Sequence, residues 1–197
     1  MIYVILPDVL NYKTFVFNSK EVRKKLGENT AFHFDQRPTE YAKEWQPIDI
    51  EFAKVSGGKK GGLPEIIVRN GRLFLNEKSH AGLHDLLASH GEFLSVTYEG
   101  NKGFLFNILT IAEHLNGLDE KLSTKNEYNE LQSIAFRSEK LNSTPIFRAE
   151  FDNYMGVYCQ DNFKILIEKL GLRGLTFSAD LGNIFPNDPS AQKTIPH

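Results

Sequence analysis

Residues 65–75 read Glu65-Ile66-Ile67-Val68-Arg69-Asn70-Gly71-Arg72-Leu73-Phe74-Leu75, two short apolar runs on either side of Asn70-Gly71. A two-residue type I′ turn needs positive φ at both central positions, and Asn-Gly is the dipeptide that accepts this most readily. The stretch therefore reads as a hairpin, and it makes the chain a protein built on antiparallel sheet.

Just upstream lies Ser56-Gly57-Gly58-Lys59-Lys60-Gly61-Gly62-Leu63-Pro64. A phosphate-binding loop needs Gly-Lys-Ser/Thr opening a helix, whereas this stretch runs into Leu63-Pro64 and a β-branched strand. It is expected to be a flexible joint near 56–62 and no nucleotide site. Working further back, Ile48, Ile50 and Phe52 alternate with polar partners, Thr14–Phe17 is short and apolar, and residues 2–6 form an apolar run closed by Pro7. All three read as strands. Ser19 is expected to cap a helix to Leu26, with Gly27 just past its end.

Downstream, Ser79 is expected to cap a helix with Leu83, Leu86 and Leu87 on one face, ending near Gly91. A second hairpin is expected from Phe93–Tyr98 and Phe104–Leu109 across residues 99–103, its second arm central in the sheet. A short helix at 111–116, surface at 118–132, and strands at 133–141, 146–151 and 155–158 follow. The clearest helix spans Asp161–Leu170, with Phe163, Leu166, Ile167 and Leu170 inward. It is followed by a strand at 172–179 and a loose tail at 183–197. Residues 79–91 and 159–171 echo each other at an offset of 80, each an amphipathic helix ending in glycine before a strand, as a duplicated strand-helix-strand unit would. The expected class is α+β: a mixed, largely antiparallel sheet with hairpins and a few packed helices, in one domain over 1–197.

The 197 residues carry a net charge of −2 and no basic cluster, which argues against nucleic acid as a partner. One cysteine, Cys159, excludes an internal disulfide and fits a reducing cytoplasm. The N-terminus has no cationic start before its short apolar run, and no later stretch reaches membrane-spanning length, so neither export nor a membrane is expected.

Reaction chemistry is sparse. His80 and His84 stand one turn apart, a zinc-compatible spacing, but no HExxH or CxxC accompanies them and the leucines claim the buried face, so no metal and no cofactor is expected. Cys159 lies near a helix start, where the dipole lowers a thiol pKa; a half-buried structural residue is the plainer reading. Asn107, inside an apolar run, is expected to be a structural amide bonded to loop backbone. No catalytic residue is assigned. The stretch 28–51 is different in kind. It carries six acids against two bases, a local net of −4, interleaved with Phe32, Phe34, Tyr41 and the only tryptophan, Trp45. Aromatic anchors within a charged rim suit a protein-binding surface, and Asp35, Tyr41, Glu44 and Trp45 are its candidate contacts, with Tyr41 and Trp45 expected to be removable without unfolding. The bland alternative places the rings in the core and the acids in water.

Four segments resemble, in order, signatures of a family of bacterial polymorphic-toxin immunity proteins formerly catalogued as a domain of unknown function. They are Gly91-Glu92-Phe93-Leu94-Ser95-Val96, Gly103 through Leu109, Pro145-Ile146-Phe147-Arg148, and Phe163 through Phe177. Leu63-Pro64-Glu65 adds to the match, which spans roughly 60–180, and Cys159 departs from it near where such proteins often open the last helix with serine. The resemblance implies a cytoplasmic protein that binds and neutralises a cognate toxin, with no catalytic residues. The competing expectation is an enzyme or small-ligand-binding domain with a dispersed site.

Overall fold

The Asn70-Gly71 hairpin forms as read, with φ of 49° and 70° at the two turn residues and Arg69 opposite Arg72. The structure, a computed structural model, describes residues 1–55, 57–58 and 61–184. Its elements are β1 (Ile2–Pro7), β2 (Thr14–Phe17), α1 (Ser19–Leu26), β3 (Ile48–Ala53), β4 (Ile66–Arg69), β5 (Arg72–Asn76), α2 (Glu77–Leu87), β6 (Gly91–Tyr98), β7 (Asn101–Ile108), β8 (Thr124–Lys125), β9 (Leu131–Ser133), β10 (Ile146–Phe147), β11 (Tyr158–Gln160), α3 (Asp161–Lys169) and β12 (Leu175–Ser178). The fold is α+β. The expected joint at 56–62 falls partly, and the expected tail from 185 onward wholly, outside the described residues.

Six strands form one sheet in the order β2-β3-β6-β7-β5-β4, antiparallel except for the β3–β6 pair. This sheet curls until its edge strands approach each other, and the guanidinium of Arg69 on β4 crosses the gap to donate to the Phe15 carbonyl of β2 at 2.6 Å. Its concave side encloses Phe15, Ile48, Ile50, Ile67, Phe74, Leu94, Val96 and Leu105, closed over by Val22 of α1 and by Phe32. Its other side packs against α2, α3 and a four-stranded sheet ordered β10-β11-β1-β12. The outer face of that smaller sheet carries Ile2, Val4, Phe147 and Tyr158, covered by Ala112, Leu118, Ile134 and Leu141 from the excursion between β7 and β10.

The echo at offset 80 has a topological counterpart. Strands β5 and β6, joined by α2, flank the antiparallel β7, and strands β11 and β12, joined by α3, flank the antiparallel β1. The two units share one core, into which Leu83 and Leu87 of α2 and Phe163 and Ile167 of α3 all project.

Several local expectations are corrected. Helix α1 is capped by Asn18, whose side chain accepts from the amides of Lys20 and Glu21, and α2 by Asn76, which accepts from Ser79. Asparagine caps as well as serine, and here stands where the chain is still extended. Ser79 is buried inside α2 instead, its hydroxyl donating to the Glu65 carbonyl at 2.7 Å. Gly91 opens β6 instead of closing a helix, because a side chain there would overlap the Asn107 carbonyl. The second hairpin turns tightly at Glu99-Gly100 and not over five residues. Residues 113–115 form a 3-10 turn, not an α-helix. The strands expected over 133–141, 146–151 and 155–158 shrink to short pieces or shift, because the apolar residues there cover the small sheet as irregular chain. Apolar spacing records burial, and it cannot tell a ladder from a packed loop.

Candidate functional site: a strap pinned over a buried polar row

Cross-strand register places Glu92 of β6, Asn107 of β7 and Arg72 of β5 side by side, at the end of the concave face where the apolar residues stop. Over this row runs a strap, residues 31–45, that contains all four candidate contacts. The Glu92 carboxylate accepts from the amides of Tyr41 at 2.7 Å and Ala42 at 2.9 Å. Asn107 donates through its amide nitrogen to the Thr39 carbonyl and to Glu92, both at 2.8 Å. Arg72 donates to the Asp35 carbonyl at 3.1 Å, and Arg148, which follows β10, donates to the next carbonyl, Gln36, and to Tyr154. Asn107 is thus the loop-bonded structural amide expected of it.

Apolar contacts hold the strap at its two ends. Phe32 is fully buried, with the rings of Tyr41 and Trp45 edge-on to it at 4.8 and 4.9 Å, and Trp45 Nε1 donates to the Ser95 carbonyl at 2.8 Å. Tyr41 and Trp45 are therefore half-buried parts of the core edge, and truncating either costs stability as well as surface. Asp35 is held by a two-pronged pair with Arg37, whose guanidinium keeps its carboxyl below the usual range. Asp35, Tyr41 and Glu44 line one cleft of about 450 Å³ with the turn after α1, while Trp45 faces β6 and does not share it. The outer side of the strap shows Phe34 at 63% exposure, and Glu28, Glu40 and Glu44 stand in solvent with no ion-pair partner among the described residues.

Charge composition and alternation do not reveal the two buried arginines. Arg72 and Arg148 are both fully buried, and each leaves Nε and Nη1 without a partner. Burial pushes Arg148 down to about 10, with the charge of Arg72 adding to the effect, so Arg148 stays protonated at neutral pH, and burial lowers Arg72 as well. Arg72 stacks over the Phe32 ring at 4.3 Å, which recovers part of the desolvation. Each unpartnered buried donor carries a penalty of roughly 1–3 kcal/mol, so this row costs the fold stability. The only sequence signal for it is a cation within an otherwise apolar strand, Arg72 before Leu73-Phe74-Leu75 and Arg148 after Ile146-Phe147.

Behind Arg148, Asp152 is buried and accepts from Tyr158 Oη at 2.7 Å and the Gly156 amide at 2.8 Å. Burial raises its carboxyl above the usual 3.8. The unfolded chain then loses this proton first, so stability falls as pH rises from 3.8 through the raised native value. Asp152→Asn removes the dependence while keeping an acceptor. In urea titrations from about pH 4 to about pH 8 the variant should gain on the parent as pH rises, and a constant difference would refute the raised value.

The other candidates resolve plainly. His80 stacks on Phe104 at 3.7 Å and His84 on Phe93 at 5.3 Å, and no group of three metal-ligating side chains occurs among the described residues. Cys159 is fully buried in β11, and burial pushes its thiol strongly up, the reverse of a dipole-activated nucleophile. No helix among the described residues is long and apolar enough to cross a membrane. A scan against protein-family models finds no match to the chain, and a search of curated proteins finds no relative.

Proposed function

We propose that this protein works by occupying the surface of another protein, as a cytoplasmic immunity protein that neutralises a cognate bacterial toxin in a stoichiometric complex. The resemblance of the segments within 60–180 motivates the class of partner. The strap supports the mode of action: its inner side is pinned by Glu92, Asn107, Arg72 and Arg148, while Phe34, Glu40 and Glu44 of the same segment stand exposed. Preorganised backbone lowers the entropy lost on binding, and an exposed ring with an acidic rim is complementary to a basic, partly apolar face. A standard interface needs only about 800 Å² from each partner, with a few anchors carrying most of the energy.

The test is co-expression with a toxin encoded beside the gene, which should rescue growth, followed by calorimetry on the purified pair. Phe34→Ala and Glu44→Ala replace exposed side chains and should leave folding intact while weakening the complex, Phe34→Ala by about 2 kcal/mol or roughly thirtyfold. Unchanged affinity in both would remove the strap as the interface, and failure of rescue with both proteins soluble would remove the class.

A further inference from the structure

The inner side of the same strap carries a second feature, one that the docking reading does not use. Arg72 and Arg148 grip successive carbonyls, those of Asp35 and Gln36, so the two cations lie side by side. Two of the three nitrogens on each have no partner. Asp35 and Glu92 are committed elsewhere, to Arg37 and to the Tyr41 and Ala42 amides, while Asp152 gives one oxygen to Tyr158 and Gly156 and keeps Oδ1 unpartnered as the carboxylate charge that most favours the Arg148 cation. Two acceptors in the same place are also unpartnered, Gln36 Oε1 and Asn107 Oδ1.

A cleft of about 420 Å³, which neither arginine lines, separates the strap, at Phe34, Asp35 and Gln36, from the turn at Asn153 and Met155. Arg148 ties its two walls together, donating to Gln36 on one and Tyr154 on the other. Between Phe32 and Tyr41 no side chain of the strap is fully buried, His33 and Pro38 being half-buried, so lifting it here breaks mainly the hydrogen bonds to its backbone.

We propose that the strap parts from the 153–155 turn to admit a phosphate group, which the paired guanidiniums of Arg72 and Arg148 bind. Guanidinium forks match oxyanions in geometry and charge. The orphan acceptors select the kind of oxyanion. Phosphate still carries protons at neutral pH and can donate to Gln36 Oε1 and Asn107 Oδ1; sulfate carries none and leaves both unpaired, which is a strong ground for discrimination.

The experiment titrates the intact protein with inorganic phosphate, sulfate and chloride at matched ionic strength, by calorimetry and by hydrogen exchange. Expected are saturable phosphate binding, sulfate weaker by about tenfold or more, and altered exchange confined to residues 33–42. Arg148→Met should weaken phosphate by about tenfold or more with the rest of the exchange pattern unchanged. If that variant does not fold, the exchange response of the parent protein decides. Absence of saturable binding at millimolar phosphate, equal responses to phosphate and sulfate, or an exchange change spread over the whole sheet would each overturn the site. Phe34 borders this cleft as well as the proposed docking surface, so the two readings are separated by measurement: phosphate binding is read on the protein alone, and toxin binding by growth rescue and by Glu44→Ala, which lies outside the cleft.

Discussion

Phe74→Ala is expected to destabilise the protein by about 3–5 kcal/mol, the range for removing a fully buried phenylalanine from a packed core. Phe74 sits in the middle of β5 with no exposed surface, and three rings surround it: Phe52 and Tyr98, both at 4.9 Å and edge-on, with Phe15 at 6.5 Å behind them and Phe17 edge-on to Phe15. Gly103 on the neighbouring strand leaves the space its ring fills. A loss of this size is a large fraction of the stability of any domain, and for a chain of this length it lowers Tm by roughly 6–20 °C. Trp45, the only tryptophan, lies on the same core and reports the transition by fluorescence in urea. Phe74→Leu should cost less than half as much, because most of the volume is retained. A loss under about 1 kcal/mol for the alanine variant would mean that the sheet does not close around this residue.

Glu92→Ala carries the next largest effect, about 2–4 kcal/mol, and a distinctive pattern. Removing the carboxylate leaves the Tyr41 and Ala42 amides without their acceptor and takes from the Asn107 side-chain nitrogen one of its two, the Thr39 carbonyl remaining. Hydrogen bonds to charged groups contribute about 1.5–3 kcal/mol each, and the half-exposed position lets water replace part of that loss. The decisive reading is local. Hydrogen exchange at Tyr41 and Ala42 should accelerate well beyond the change at Leu94 or Leu105, which lie deeper in the same sheet. Uniform acceleration would show that Glu92 supports the whole domain and not the strap. Because the strap is the proposed docking surface, the same variant should also weaken the complex without touching the partner.

The two hairpins, the main helices and the central place of β7 were legible along the chain, since each is encoded by neighbours: Asn70-Gly71 permits one turn, and Leu83 and Leu87 or Phe163 and Ile167 set one helical face. The acidic, aromatic character of 28–51 was legible as well, and with it the candidacy of Asp35, Tyr41, Glu44 and Trp45. What could not be read was which way those side chains turn. Tyr41 and Trp45 look like exposed anchors in a charged stretch, yet both lean on Phe32, while Phe34, two residues from it, is left in solvent.

Sequence alone therefore determined the α+β class, the register of the Asn70-Gly71 hairpin and the composition of the strap, because turn chemistry and apolar period act over a few residues. Only the tertiary structure decided that Glu92, Asn107, Arg72 and Arg148 meet beneath residues 35–42. These groups come from four separate strands or connections, and nothing local marks a charge as one that will be buried. Their pairing depends on strand order and on the curl of the sheet, which are settled by packing across the whole chain.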